Sequence, residues 1–201
     1  MSTKTAVSFG ARPAKLPTVL NGAEQRSILS EPNKKCPTGL RNFAMLKIFL
    51  NLGLRSSEAL NLKASCIDWQ SGKVIIVAGK GERDRVLWLT DEDLTTLKAW
   101  LDIRPNESDY LFCTLQGARM SDRYVRDFVG RYAKKAGINK RVHPHALRHT
   151  FATDLLRESK NIRLVQKALG HVSISTTMIY THIVDEQLES ALKQFREGQL
   201  T

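Results

Sequence analysis

From His143 to Tyr180 the chain reads HPHALRHTFATDLLRESKNIRLVQKALGHVSISTTMIY, a span holding four of its five histidines. Arg148 follows His145 by three residues, Leu169-Gly170-His171 forms a glycine-centred turn, and Tyr180 closes a polar segment. These side chains titrate, hold anions or attack as nucleophiles, and a stretch built only for packing needs fewer of them. Spaced three apart on one helix, His145 and Arg148 share a face and can address one ligand. Two upstream turns extend the set. Arg55, in Gly53-Leu54-Arg55-Ser56-Ser57-Glu58, lies between Leu54 and the Leu60/Leu62 pair, apolar anchors that could aim its guanidinium at an anion. A pair with Glu58 on the same short helix accounts for Arg55 equally well. Lys80, flanked by Gly79 and Gly81, occupies a hairpin tip from which it could reach into a site, although charged tips are ordinarily only solvated.

Three chemistries are open to this set. His145 and His149 stand four apart, as in the zincin motif, but Ala146 occupies the position of that motif's glutamate, so no metal ligand is assigned. Passive binding by a basic helical module explains charge but not the arrangement. Metal-free phosphoryl transfer uses every member. It requires neutralised non-bridging oxygens, an in-line nucleophile and a proton for the leaving oxygen. Arg55 and Arg148 can clamp the phosphate bidentately. Tyr180 is the candidate nucleophile; its hydroxyl, with a free pKa of about 10, needs a base and a positive field to attack at neutral pH. His145 or His171 could be that base, and Lys80 the acid.

The bulk composition points to the same class of partner. Among 201 residues, 42% hydrophobic and 25% charged suit one soluble domain, but the net charge of +11 does not belong to an average one. Such an excess of Lys and Arg favours a polyanion. No apolar run approaches the roughly 20 residues that span a bilayer, and the N-terminus lacks an apolar signal core, so nucleic acid is preferred to a membrane. Cys36, Cys66 and Cys113 are odd in number, far apart and without CxxC spacing; they read as reduced cytosolic thiols in the core.

The positioning elements follow from period and punctuation. Residues 1–15 carry Lys4, Arg12 and Lys15 with no acidic residue and read as a flexible basic arm that could follow a phosphate backbone. Asn21 or Gly22 caps a helix over residues 23–30. A proline-marked loop leads to a buried helix that Gly53 ends, and Ser56 or Ser57 caps the short helix beyond it. The period then falls to two. Ile67 with Trp69, residues 74–77 and residues 86–89 form a three-stranded antiparallel sheet, with Arg83 in the loop beside Lys80. Thr90 caps a helix over 91–103, residues 110–113 form a short strand, and Ser121 caps a helix ending at Lys135. That helix buries Tyr124, Val125, Phe128, Val129 and Tyr132 and turns out Arg123, Arg126, Arg131, Lys134 and Lys135, a candidate DNA-facing side. Pro144 opens a helix to 158, a short helix spans 162–169 before Gly170, and another begins at Ser173 or Ser175 and runs into Tyr180. A last amphipathic helix at 184–196 could contact a neighbouring protomer.

With these residues in place, the chain resembles the tyrosine recombinase, or phage integrase, family in its catalytic domain. Gly53-Leu54-Arg55-Ser56-Ser57-Glu58, Gly79-Lys80-Gly81, His145-Ala146-Leu147-Arg148, Leu169-Gly170-His171 and Tyr180 follow the family pattern in order, across about residues 16–195. Each motif is weak alone; five in order are specific. The resemblance implies an α+β fold, a mostly helical catalytic domain (16–201) with a small antiparallel three-stranded sheet. It implies that Arg55 and Arg148 clamp the scissile phosphate, Lys80 protonates the leaving 5′-oxygen, His145 assists proton transfer from Tyr180 and His171 hydrogen-bonds the phosphate. Tyr180 would form a 3′-phosphotyrosyl intermediate without metal, cofactor or ATP. Double-stranded DNA and a synaptic tetramer assembled on it from monomers are the implied partners, in the cytoplasm at the nucleoid. The departure is length: most members carry an N-terminal core-binding domain, so the chain is either a single-domain recombinase or a piece of a larger protein. A type IB topoisomerase, which shares the same residue types, and a non-catalytic DNA-binding relative are the rival readings.

Overall fold

A computed structural model of the chain describes residues 17–77 and 84–171. Its organising element is α2 (Pro37–Leu52), buried on nearly every side through Ala44, Met45, Leu46, Ile48 and Phe49. A helix buried on most of its faces must be surrounded, and α2 packs against α1 (Gly22–Ser30), α3 (Ser56–Asn61), α4 (Asp91–Leu101) and α6 (Pro144–Ser159). The amphipathic α5 (Asp122–Lys135) contacts α1, α3 and α6 with Val125, Phe128 and Val129 buried, and α7 (Ile162–Leu169) rests on α6 and the sheet.

Local chemistry sets the helix ends. Asn21 and Thr90 form capping boxes with Glu24 and Asp93, and the Ser121 hydroxyl accepts the Tyr124 N–H. Pro144 starts α6 at its first position, where its missing N–H costs nothing. Gly53 ends α2 in the left-handed region, at φ 59°, with its N–H on the Phe49 carbonyl. Thr150, on α6, accepts the Leu20 N–H through Oγ1 at 2.9 Å, and Asp154 accepts from Gln25 at 2.8 Å, so the entry segment is pinned to the helix that carries Arg148.

The sheet differs from the expected three strands. Among the described residues only β1 (Lys73–Ile76) and β2 (Arg85–Trp88) pair, antiparallel, with Val74 opposite Leu87 and Ile76 opposite Arg85. Ile67 makes a single bridge to Val74 because residues 64–66 wind into a 3₁₀ turn. Immediately after it, the Asp68 carboxylate accepts from Gln70 and Ser71 and folds the chain back before a strand can extend. Residues 110–113 likewise make isolated bridges, Lys63–Tyr110 and Cys113–Arg119, in place of a strand. The cap of α3 is Arg55, not Ser56 or Ser57, and α4 stops at Leu101, short of 103. Of the cysteines, Cys113 is buried, Cys66 intermediate and Cys36 exposed, so the core reading holds fully only for the first.

Candidate active site around Glu58

α3 is too short to be stable alone, and its first turn is held by a carboxylate. Glu58 accepts the Arg55 N–H through Oε2 at 2.7 Å and the Arg55 guanidinium through Oε1 at 3.1 Å. The pairing of Arg55 with Glu58 and an anion-facing role are therefore compatible: the carboxylate fixes the side chain, which remains 23% exposed. From β2, Arg85 meets the same carboxylate with two parallel bonds, Nη1 to Oε1 at 2.7 Å and Nη2 to Oε2 at 2.8 Å. Arg148 approaches Oε2 to 3.7 Å from α6. Three guanidinium groups thus converge on one buried acid. Burial acts to raise the Glu58 pKa, but the hydrogen bonds and charge of Arg85, the Arg55 N–H and Arg148 outweigh it and hold the carboxyl below its ordinary value.

Arg148 is only 4% exposed. Its Nη1 donates to the Gly53 carbonyl and its Nη2 to the Leu169 carbonyl, both at 2.7 Å, so it ties the end of α2 to the end of α7. Nη2 also lies 3.2 Å from His171 Nε2. An arginine can only donate, so Nε2 accepts and the neutral ring carries its proton on Nδ1. Burial first, then the charges of Arg148, Arg55 and Arg85, bring the His171 pKa down to about 4. At neutral pH the site therefore offers fixed positive charge and one neutral imidazole donor, an arrangement suited to a phosphate.

The other histidines divide. His145 is exposed in the first turn of α6, three residues before Arg148, and its ring centroid lies 6.2 Å from that of His143. His149 is half-buried, and burial, followed by His145, Arg148 and His143, takes its pKa to about 4. These depressed values link to stability. Unfolded, both rings titrate near the ordinary 6.5, so the stability due to the neutral rings is complete above that pH and is lost as pH falls toward 4. The melting temperature measured without DNA is expected to decline from pH 6.5 to 4, and a His149→Gln/His171→Gln variant to show a clearly shallower decline. An equal slope in the two proteins would disprove the link.

Lys80 and Tyr180 lie outside the described residues, as do Lys4, Arg12, Lys15, Arg83 and residues 184–196. Of the other DNA-facing candidates, Arg123, Arg126, Arg131 and Lys134 are exposed on α5, and the three arginines make local contacts. Arg126 pairs with Asp122 at 2.6 Å, Arg123 with Asp127 at 3.8 Å, and Arg131 lies over the Tyr132 ring at 5.5 Å. Among the described residues no cluster of three or more His, Cys, Asp or Glu is placed to hold a metal, and no helix is long and apolar enough to cross a membrane. Sequence reading missed Arg85, which it left in the hairpin loop. The available signal was alternation: with Leu87 and Leu89 inward, position 85 is inward too, and an arginine there requires a buried partner.

A mostly helical α+β domain thus gathers three arginines and a histidine around one buried carboxylate. The chain belongs to the phage integrase family, whose sequence profile matches residues 18–187. It is 35% identical over 190 residues to a tyrosine recombinase XerD of Ralstonia nicotianae, covering 92% of this chain and 62% of that protein. It is 41% identical over 157 residues to a tyrosine recombinase XerC of Escherichia coli O157:H7, covering 77% and 52%. The chain thus spans little more than half the length of such relatives. Among solved structures, the XerA recombinase superposes with a TM-score of 0.78 at 35% identity, over 92% of this chain and 67% of that one. The XerH site-specific recombinase, in a post-cleavage complex with palindromic difH substrate, gives 0.77 at 34%, over 90% and 54%. The catalytic domain of bacteriophage HP1 integrase gives 0.62 at 28%, over 88% and 94%. The family and the α+β class read from the motifs both hold, with two strands in the described sheet in place of three.

Proposed function

We propose that the chain is the strand-cutting domain of a site-specific DNA recombinase. The observation that carries this reading is the convergence of Arg55, Arg148 and His171 beside Glu58, in a family whose XerH member is seen in a post-cleavage complex with its difH substrate. Arg55 and Arg148 hold the non-bridging oxygens of the scissile phosphate, and the His171 Nδ1–H donates to one of them. The Tyr180 oxygen attacks phosphorus in line while His145 takes its proton. The P–O5′ bond breaks as Lys80 protonates the departing oxygen. The phosphotyrosyl bond retains the energy of the phosphodiester, so a 5′-hydroxyl from a partner strand reseals it without ATP or metal. Double-stranded DNA is the partner, with monomers assembling into a synaptic tetramer on it, in the cytoplasm at the nucleoid.

The test is a covalent-adduct assay in EDTA with nicked suicide duplexes taken from the DNA flanking the encoding gene. The protein is expected to give a denaturant-resistant adduct that is absent in Tyr180→Phe. An adduct that persists in that variant rules out the nucleophile, and loss of the adduct in EDTA revives a metal mechanism. Strand exchange between two site-bearing duplexes, without relaxation of a supercoiled plasmid lacking the site, separates a recombinase from a type IB topoisomerase.

A further inference from the structure

The last carbonyls of an α-helix lack partners inside the helix, and in α7 each of the final four can be traced. Gly170, left-handed at φ 70°, lets His171 N–H return to the Gln166 carbonyl and its own N–H to the Lys167 carbonyl, both at 3.1 Å. The remaining two are taken by arginines from other elements. Leu169 gives its carbonyl to Arg148, and Ala168 gives its carbonyl to Arg85 Nε at 2.7 Å. Positive charge at a helix C-terminus also complements the helix dipole. The turn that presents His171 is therefore closed from outside by two guanidinium groups.

Arg148 is accounted for by the phosphate clamp, but Arg85 is not. Its side chain is 5% exposed, and it opens β2, the strand entered directly from the segment bearing Lys80. All three guanidinium nitrogens are engaged: two on Glu58, which carries Arg55, and one on Ala168, three residues before His171. The fit is close on the other side as well. A Cβ at Gly170 would stand 3.1 Å from Arg85 Nη1 and 3.2 Å from its Cδ, so the glycine leaves room for this side chain. A lysine, with a point charge and no planar fork, could not hold both partners at once.

We propose that Arg85 is the positioning residue of the site, a rigid strut that sets the Arg55 turn and the His171 turn at a fixed separation through Glu58 and the Ala168 carbonyl. It touches neither DNA nor the reacting atoms. Its effect on cutting rests on the recombinase reading above; its effect on geometry does not.

The experiment compares the full chain with Arg85→Lys, which keeps the charge and loses the fork, and with Arg85→Met/Glu58→Gln, which removes both charges of the Arg85–Glu58 pair. Adduct formation on the nicked flanking-DNA duplex is expected to slow about 100-fold in each folded variant, the scale of a misplacement of about 1 Å. Duplex affinity should stay within about twofold, since backbone phosphate contacts elsewhere supply it. An adduct rate within threefold of the parent in either folded variant would overturn the proposal. The second readout needs no DNA: the NMR titration of the His171 ring. In Arg85→Lys the positive charge remains, so a return of the ring toward its ordinary pKa reports displacement of the turn. An unchanged His171 titration overturns the strut even if no duplex is ever cut, whereas a shifted titration with no adduct from the parent protein leaves the strut standing and removes the recombinase reading.

Discussion

Glu58→Ala is expected to destabilise the domain by about 3–5 kcal/mol, the usual result of deleting one partner of a buried ion pair. The cost falls on the arginines that remain. Arg85 and Arg148 are almost fully buried, and a guanidinium cannot escape the penalty by losing its proton. Arg85 would keep only the Ala168 carbonyl among its present partners, and the Arg55 N–H would lose the oxygen that starts α3. Glu58→Gln preserves shape and one acceptor, so its cost should be distinctly smaller. Urea unfolding monitored by circular dichroism measures both, with midpoints compared at constant slope. Adduct formation should be lost in the alanine variant even at temperatures where it remains folded, because Arg55 is no longer aimed. An alanine variant within 1 kcal/mol of the parent would mean that water or repacking compensates these charges, contrary to the role given to Glu58 here.

The parts of the site that were legible in the sequence are those whose cause is local. α7 runs from Ile162 to Leu169, the span read from the sequence, and Gly170 supplies the positive φ that ends it. The Asn161 side chain, which accepts two N–H groups at the start, is added by the structure. α6 begins at Pro144 for an equally local reason. His145 and Arg148 were placed on one helix by a spacing that needs no tertiary knowledge. The failures have non-local causes. Ile67 and Trp69 alternate as a strand would, yet the Asp68 turn outcompetes the ladder beyond a single bridge, and periodicity is blind to that competition. Arg85 falls one residue before the strand read at 86–89, next to a Gly-rich hairpin, and so carries no motif of its own. Its inward register becomes meaningful only when α3 and α7 are seen to supply a carboxylate and a carbonyl. For Arg55, clamp and ion pair are not alternatives: one carboxylate holds an arginine that still reaches solvent.

Gly53→Ala should be the most damaging small substitution near the site, at about 2–5 kcal/mol from left-handed strain plus overpacking. At φ 59° an alanine is strained before any neighbour is considered, and its Cβ would overlap the Phe151 ring, a stiff plane on α6. The Gly53 carbonyl holds Arg148 Nη1, and Phe151 lies three residues beyond Arg148 on the same helix, so relief of the clash moves either the acceptor or the donor. Stability and cutting are therefore expected to fall together. A double-mutant cycle with Phe151→Ala separates the two costs: truncating the ring should recover the overpacking share, a coupling of about 1–3 kcal/mol, and leave the left-handed strain in place. Urea unfolding of the four proteins reads this coupling directly. Additive effects would show that Phe151 yields without resistance, and the whole penalty would then belong to the backbone of the turn that leads into Arg55.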